Sequence, residues 1–281
     1  MKYALITGVS SGFGKATAIK FLQQGYYVFG SVRKAQDGKA LKDLFPELFH
    51  ALIFDISNHE QVDKAFIEIQ NIVGNHGLDV LINNAGVAEY GPIQHIAIED
   101  LRRQFEINVF SNVYITQKSL PLLGADFNTT KKGKVIVISS TGGVMTRPML
   151  GPYSASKHAV EAIYDALRRE LMLYKMDVII IQPGPIKTDI WGKAKSGINP
   201  YVNTDYGKIF DKLDDAVNQI EEIGLESKEV AEKIWSAFQA KSPKARYVIT
   251  PKKLMFKLAM YVIPAKTLDK IFFKDLKKLN N

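Results

Sequence analysis

Leu5-Ile6-Thr7-Gly8-Val9-Ser10-Ser11-Gly12-Phe13-Gly14 is the stretch that decides the fold of this chain. A short apolar run over residues 2–6 feeds three glycines. Residues 15–24 follow with Ala16/Ile19 and Ala18/Leu22 at helical spacing, and Gly25 ends the helix. Residues 26–32 read as the next buried strand. Strand, glycine-rich turn, helix and strand within about 30 residues make the unit that binds dinucleotides. Glycine lets the backbone turn tightly and approach a pyrophosphate, which rests at the helix N-terminus. The spacing is Gly-x-x-x-Gly-x-Gly rather than Gly-x-Gly-x-x-Gly, so it is the strand–turn–helix context that favours a phosphate cradle over a mere turn.

The alternation continues along the chain. Strands are expected over residues 49–54, 79–82, 134–139, 177–182 and 246–249, and helices over 60–73, 101–123, 153–174 and 230–239. Strands alternating with helices mean a parallel sheet covered on both faces. The expected fold is α/β: a single Rossmann-type doubly wound parallel sheet of about seven strands with helices on both faces. No repeat, low-complexity linker or composition break precedes residue 250. Residues 1–250 are therefore read as one dinucleotide-binding and catalytic domain, and 251–281 as a basic amphipathic C-terminal extension.

The bulk numbers exclude several classes. Of 281 residues, 46% are apolar and 23% charged, as in soluble globular proteins. The absence of cysteine removes disulfides, thiolate chemistry and cysteine zinc sites. The N-terminal apolar run is too short for a signal peptide, and no stretch reaches the roughly 18 apolar residues of a membrane span. A cytoplasmic protein is expected. The formal charge of +8 is uneven, for residues 251–281 hold eight lysines and two aspartates. That localisation argues against a nucleic-acid-binding face and leaves a membrane surface, an acidic partner or solubility. Apolar Leu254, Met255, Phe256, Leu258, Met260, Tyr261, Ile271, Phe272 and Phe273 lie among these lysines. The extension could lie on an anionic membrane, cover a substrate entrance or meet a partner subunit.

Chemistry in such a sheet belongs at the carboxyl ends of the strands. There the chain places the glycine turn, Arg33-Lys34, Asp55-Ile56, Asn84-Ala85-Gly86, Ser139-Ser140 and Pro183-Gly184. Tyr153-Ser154-Ala155-Ser156-Lys157 falls at the same edge, with Tyr153 and Lys157 one helical turn apart. A free phenol has a pKa of about 10, and a fixed ammonium group favours the phenolate. A neighbouring serine hydroxyl can hydrogen-bond the oxygen that gains or loses the proton. Those three groups suit carbonyl–alcohol interconversion, where a proton moves as a hydride does. Alone, the Tyr–Lys pair reads more readily as an exposed helix pair; its position beside the phosphate cradle outweighs that reading. The five histidines show no metal-ligand spacing, so no metal site is expected.

These residues resemble the short-chain dehydrogenase/reductase family, from Lys2 to about Asp189. The markers are Thr7–Gly14, Asp55, Asn83-Asn84-Ala85-Gly86, Asn108, Ser139-Ser140, the Tyr153–Lys157 segment and Pro183-Gly184-Pro185-Ile186-Lys187-Thr188, in the family's order. The resemblance implies a catalytic set of Asn108, Ser140, Tyr153 and Lys157. Tyr153 would be the general acid in reduction, Lys157 would depress its pKa and hold the nicotinamide ribose, and Ser140 would orient the substrate oxygen. Asn108 would bend its helix and hold a relay water. Gly8, Ser10, Ser11, Gly12, Phe13 and Gly14 would cradle the cofactor, with Tyr153 and Lys157 also touching it. Asp55 and Ile56 would meet the adenine, and Asn84, Ala85 and Gly86 would line the middle. Pro183, Gly184, Ile186 and Thr188 would enclose the nicotinamide.

An acid at the end of the second strand would select NAD. Here Val32 stands in that place and Arg33 follows, which suits a 2′-phosphate, so NADP(H) is expected over NAD(H). Ser10, Ser11 and Ser31 could add hydroxyl donors. The segment over residues 188–224 should cover the substrate; it holds Ile190, Trp191, Ile198, Tyr201, Tyr206, Ile209 and Phe210 among Lys193, Lys195 and Lys208. Val144, Met145, Met149 and Leu150 add flexible apolar surface before Tyr153. Length and extension resemble the branch near 17β-hydroxysteroid and retinol dehydrogenases, which implies a lipophilic ketone, aldehyde or alcohol of steroid, retinoid or fatty type. The resemblance also implies a homodimer or homotetramer. A non-catalytic NAD(P)-binding sensor on the same fold is the alternative, and a methyltransferase on a related sheet would leave Asn108, Tyr153 and Lys157 unexplained.

Overall fold

Alternate residues of each strand go to opposite sides of one sheet, and both sides are apolar. Tyr3 and Leu5 enter one core with Val135, Val137, Val178 and Ile180. Ala4 and Ile6 enter the other with Ile136, Ile138, Ile179 and Ile181. A strand buried on both faces needs an unbroken apolar run, and that is what these β-branched segments supply. A computed structural model describes residues 1–186, 200–212, 224–251, 256, 258–259 and 262–280. Its strands are β1 Tyr3–Ile6, β2 Tyr27–Val32, β3 Phe49–Ile53, β4 Val80–Asn83, β5 Lys134–Ile138, β6 Val178–Pro183 and β7 Arg246–Ile249. They form a seven-stranded sheet in the order β3-β2-β1-β4-β5-β6-β7. Every pairing is parallel. This is the expected Rossmann-type sheet. After β3 the chain crosses to the other side of β1 and lays down β4, so the switch point, where ligands bind in such sheets, lies between β1 and β4.

The helices flank both faces: α1 Gly12–Gln23, α2 Ala35–Leu44, α3 His59–Val73, α4 Ile98–Phe105, α5 Ser111–Ser119, α6 Gly151–Glu170, α7 Gly207–Asp211, α8 Ser227–Gln239 and α9 Ala265–Asn280. Helix α2 was not among the expected elements. Gly38 sits in its middle, where a Cβ would stand 3.1 Å from the Ala51 Cβ of β3, so the glycine serves close packing. The long helix expected over 101–123 is broken: α4 and α5 are joined by a π-helical turn, Glu106–Phe110. The C-terminal extension contributes α9. Among the described residues no helix is long and apolar enough to cross a membrane.

Candidate active site

At the end of β1 the backbone turns through Gly8 (φ 70°) and Gly12 (φ 58°), values that glycine adopts without strain. Each arm of the turn is tied down. The Gly8 N–H donates to Ser31 Oγ at 2.9 Å. Asn84 Nδ2 donates to the carbonyls of Thr7 (2.8 Å) and Gly8 (2.9 Å). Thr7 Oγ1 accepts in return from the N–H groups of Asn84 and Ala85, both at 2.9 Å. A Cβ on Gly14 would lie 2.2 Å from Asn84 Nδ2 and 2.3 Å from the Gly8 oxygen, so only hydrogen fits there. The turn opens onto the N-terminus of α1, whose first turn carries no acidic residue and whose N-cap Ser11 makes no side-chain cap bond. Unpaired N–H groups, the positive end of the helix dipole and a nearby serine make a site for an anion. A dinucleotide pyrophosphate fits this donor set.

A cleft of about 570 Å³ runs across the carboxyl ends of the strands from this cradle. Gly8, Ser10, Ser11, Gly12, Phe13 and Gly14 form one wall. Arg33, Asp55 and Ile56 line a second part, and Asn84, Ala85 and Gly86 a third. Arg33 is the first residue beyond β2 and is exposed. The Asp55 carboxylate accepts from the Ser57 N–H (2.9 Å) and hydroxyl (2.6 Å). Burial works to raise its pKa, but the Ser57 hydrogen bonds and the Arg33 charge bring it below the usual carboxylate range. Asp55 thus starts the turn toward α3 and also faces the cleft.

Ser140 follows β5, and its Oγ accepts the Gly142 N–H at 2.9 Å. Tyr153 lies in the first turn of α6 and shares a hydrogen bond with Ser140. Burial lifts the phenol pKa above its ordinary value, and the Ser140 bond pulls the other way. Lys157 is buried one turn on; its Nζ donates to the Ile138 carbonyl at 2.8 Å and stands 5.8 Å from the centre of the Tyr153 ring. Burial pushes the ammonium down to about 8, against Glu161, which raises it. In the structure Tyr153 is therefore held up, where the resemblance implied a phenol pulled down by Lys157.

Asn108 lies in the π-helical turn and is fully buried. Its Oδ1 accepts the Val87 N–H (2.9 Å), and its Nδ2 donates to the Val87 carbonyl (3.0 Å) and to Ser156 Oγ (3.1 Å). Ser156 donates onward to the Tyr153 carbonyl at 2.7 Å. Asn108 therefore couples the irregular strip after β4 to the turn that presents Tyr153. Sequence reading missed its helper, the buried Gln104, which donates to the Val87 carbonyl (2.8 Å) and accepts the Glu89 N–H (2.6 Å). The available signal was a polar residue four positions before Asn108 on the same helix face. Thr7 and Ser156 were likewise missed as positioning groups, and Ser31 proves to brace the cradle through Gly8.

At β6, Pro183 is the last strand residue, and the Gly184 N–H donates to the Ile249 carbonyl at 2.8 Å. The Ile186 side chain is buried in the core, its backbone bridged to Leu225. Thr188 lies outside the described residues, as do Ile190, Trp191, Lys193, Lys195 and Ile198. Of the expected cover, Tyr201 and Phe210 reach the cleft, where their rings meet at 4.8 Å and Phe210 stacks on Tyr90 at 5.9 Å. Tyr206 packs edge-on against His95 at 5.9 Å, Ile209 is buried and Lys208 is exposed.

The model of the short chain dehydrogenase family matches residues 2–199. The chain is 66% identical over 279 residues, 99% of both chains, to the NADPH-dependent 3-dehydrocapnine reductase of Ornithobacterium rhinotracheale. It is 30% identical over 292 residues to the human dehydrogenase/reductase SDR family member 9, covering 100% of this chain and 90% of that one. Among solved structures, a short-chain dehydrogenase of Streptomyces avermitilis superposes with a TM-score of 0.76 at 26% identity, covering 99% of this chain and 95% of the other.

Proposed function

The chain belongs to the short-chain dehydrogenase/reductase family of oxidoreductases, and from that premise we propose that it reduces a lipophilic ketone with NADPH, 3-dehydrocapnine being the leading candidate. The observation that carries the reading is the grouping of Ser140, Tyr153 and Lys157 beside a glycine cradle open to an anion. Identity of 66% to a relative named for that reaction, over nearly all of both chains, supports the substrate. The same relative's name and the exposed Arg33, standing where NAD-selecting folds carry an acid, support NADP(H).

When bound, the reduced nicotinamide supplies the hydride and its electron pair. The chain's own residues handle the proton. With its pKa raised by burial, Tyr153 keeps its proton at neutral pH and can give it to the carbonyl oxygen as charge develops there. The Ser140 hydroxyl, fixed by Gly142, holds that oxygen in line with the phenol. Lys157, part charged near pH 8, stabilises the phenolate left behind. Asn108 holds the turn of Tyr153 through Ser156. Assembly as a homodimer or homotetramer belongs to the same proposal, supported by exposed Ala155, Ala162 and Ala166 along α6 and exposed Phe110 on the adjoining π-helical turn.

The test is NADPH oxidation with 3-dehydrocapnine by the wild-type protein and by Tyr153→Phe. Loss of the proton donor should lower kcat by about 100-fold or more. Near wild-type turnover in Tyr153→Phe removes the proposed mechanism.

A further inference from the structure

A second cavity, of about 580 Å³, lies between the 144–151 loop and helix α9. We propose that it is the site for the alkyl chain of the substrate, with α9 as its outer wall. The inference rests on the proposed reduction at Tyr153 and adds where the rest of the substrate lies.

The inner wall is the segment that leads from Ser140 to Tyr153, so the reacting groups and the cavity share one loop. On its catalytic side, a Cβ at Gly142 would stand 3.3 Å from Tyr153 Cε1 and 3.4 Å from Ser140 Oγ. On its other side the loop presents Val144, Met145 and Met149 to the cavity. Gly151, two residues before Tyr153, closes the near end and packs so tightly on Ile93 that a Cβ there would lie 2.6 Å from its Cδ1.

The wall is also held rigidly. Met149 has φ 67°, a left-handed backbone that a side-chain-bearing residue keeps only where its surroundings hold it there. Its carbonyl accepts the Gly91 N–H at 2.8 Å, tying the loop after β5 to the strip after β4. That clasp holds the half-buried Met145 and the buried Met149 in the wall that faces α9.

The chemistry of the wall suits hydrocarbon. Helix α9 contributes Leu268, Phe272 and Leu276, which recur every four residues along one face. Its lysines 266, 270, 274, 277 and 278 are all exposed. The charged lining groups, Arg147 and Asp269, are exposed and stand at the rim, where they do not tax an apolar guest. The volume falls within the range of small-molecule sites, which are mostly apolar with a few polar groups. A helix whose apolar face roofs a hollow of this size, rather than packing flush, leaves apolar contacts unmade that a flexible chain can make. Methionine walls adapt to such guests.

The experiment uses the full-length protein with NADPH and a homologous series of 3-oxo compounds of increasing alkyl length. In the wild type kcat/KM should rise by about threefold to fourfold per methylene until the cavity is filled. Phe272→Asp, which makes the wall polar, and Leu268→Trp, which fills the hollow, should both flatten that slope while the shortest ketone keeps its kcat/KM within about twofold. Isothermal titration of a saturated C16 alcohol into the cofactor-free protein supplies a reading independent of turnover, with Kd expected to weaken at least tenfold in Phe272→Asp. An unchanged slope and unchanged Kd in both variants overturn the inference while leaving the ketone reductase intact. Alkyl binding that depends on Phe272 without reduction of any ketone keeps the cavity assignment and removes the proposed function instead.

Discussion

Asn84 offers a sharp test of how the cradle is held. Both groups that its side chain meets are carbonyl oxygens, Thr7 at 2.8 Å and Gly8 at 2.9 Å, so the amide NH₂ must face them. Asn84→Ala removes two neutral hydrogen bonds, each worth about 0.5–1.5 kcal/mol net, or about 1–3 kcal/mol together. For a chain of this size the Tm should fall by about 2–8 °C. Asn84→Asp is nearly isosteric yet should be worse, because a carboxylate offers only acceptors to two carbonyls under 3 Å away. The half-buried carboxyl would have its pKa raised in the folded state, since both burial and those oxygens favour the neutral form. Its stabilising protonated form, which can donate again, is lost as pH rises through that pKa. The gap between the Asp and Ala variants should therefore be widest at neutral pH and shrink toward pH 4. Because Gly8 and Gly14 sit against the same amide, both variants should also raise KM for NADPH more than they lower kcat at saturation. The assays are thermal melting without cofactor across pH 4–8 and steady-state kinetics at pH 7. An Asp variant that melts with or above the Ala variant at pH 7 would refute the orientation and the role drawn from it.

Arg33→Asp should cut kcat/KM with NADPH by at least tenfold and reverse the preference toward NADH, measured side by side; a wild type that uses NADH as well as NADPH removes the role given to Arg33. The rate of ketone reduction should fall as pH rises through about 8, because Lys157 loses its charge there and the phenolate loses its counter-ion. Lys157→Arg, which keeps its charge, should lose that break even if its turnover is lower, and a wild-type profile flat from pH 6.5 to 9.5 contradicts the assignment. Light scattering at micromolar concentration should give the mass of a dimer or tetramer, and a monomer alone rules the assembly out.

The sheet was legible because its signal is local. Segments such as Val135-Ile136-Val137-Ile138 carry their burial on both faces in their composition alone. Much of the site was legible for a related reason: a parallel sheet gathers the residues after its strands at one edge, so listing them lists the cleft wall. What stayed hidden depends on contacts between distant segments. Helix α2 carries few apolar residues, and Gly38 within it makes sense only once Ala51 is beside it. The π-helical turn exists where Asn108 must reach Val87, and no periodicity within residues 98–119 announces that reach. Asn84 lines the cleft as its place after β4 suggests, but the engagement of its amide with Thr7 and Gly8 is a contact between distant segments. In α9 the apolar face was visible in the sequence, but which surface it covers depends on the Val144–Gly151 loop, more than a hundred residues earlier.

The electrostatics of Tyr153 and Lys157 show why motif and structure differ on the phenol. A motif lists a cation one turn from a tyrosine and so suggests phenolate at rest. The fold adds burial, which disfavours charge on both groups, raising the phenol and lowering the ammonium. The Lys157 ammonium is also turned toward the Ile138 carbonyl. At rest the proton therefore stays on Tyr153, the state a reductase needs before it acts. In the proposed transfer the phenolate left behind faces the Lys157 ammonium, 5.8 Å from the ring centre, across a poorly solvated interior. That attraction is larger than in water because solvent is excluded. It matters only if Lys157 is charged at that moment. Glu161, one turn further along α6, supplies the opposing negative charge and is itself held by Gln182 (3.0 Å) and Arg246 (2.9 Å). The capacity of Lys157 to carry charge at neutral pH thus depends on Gln182 of β6 and Arg246 of β7, which hold Glu161 in place.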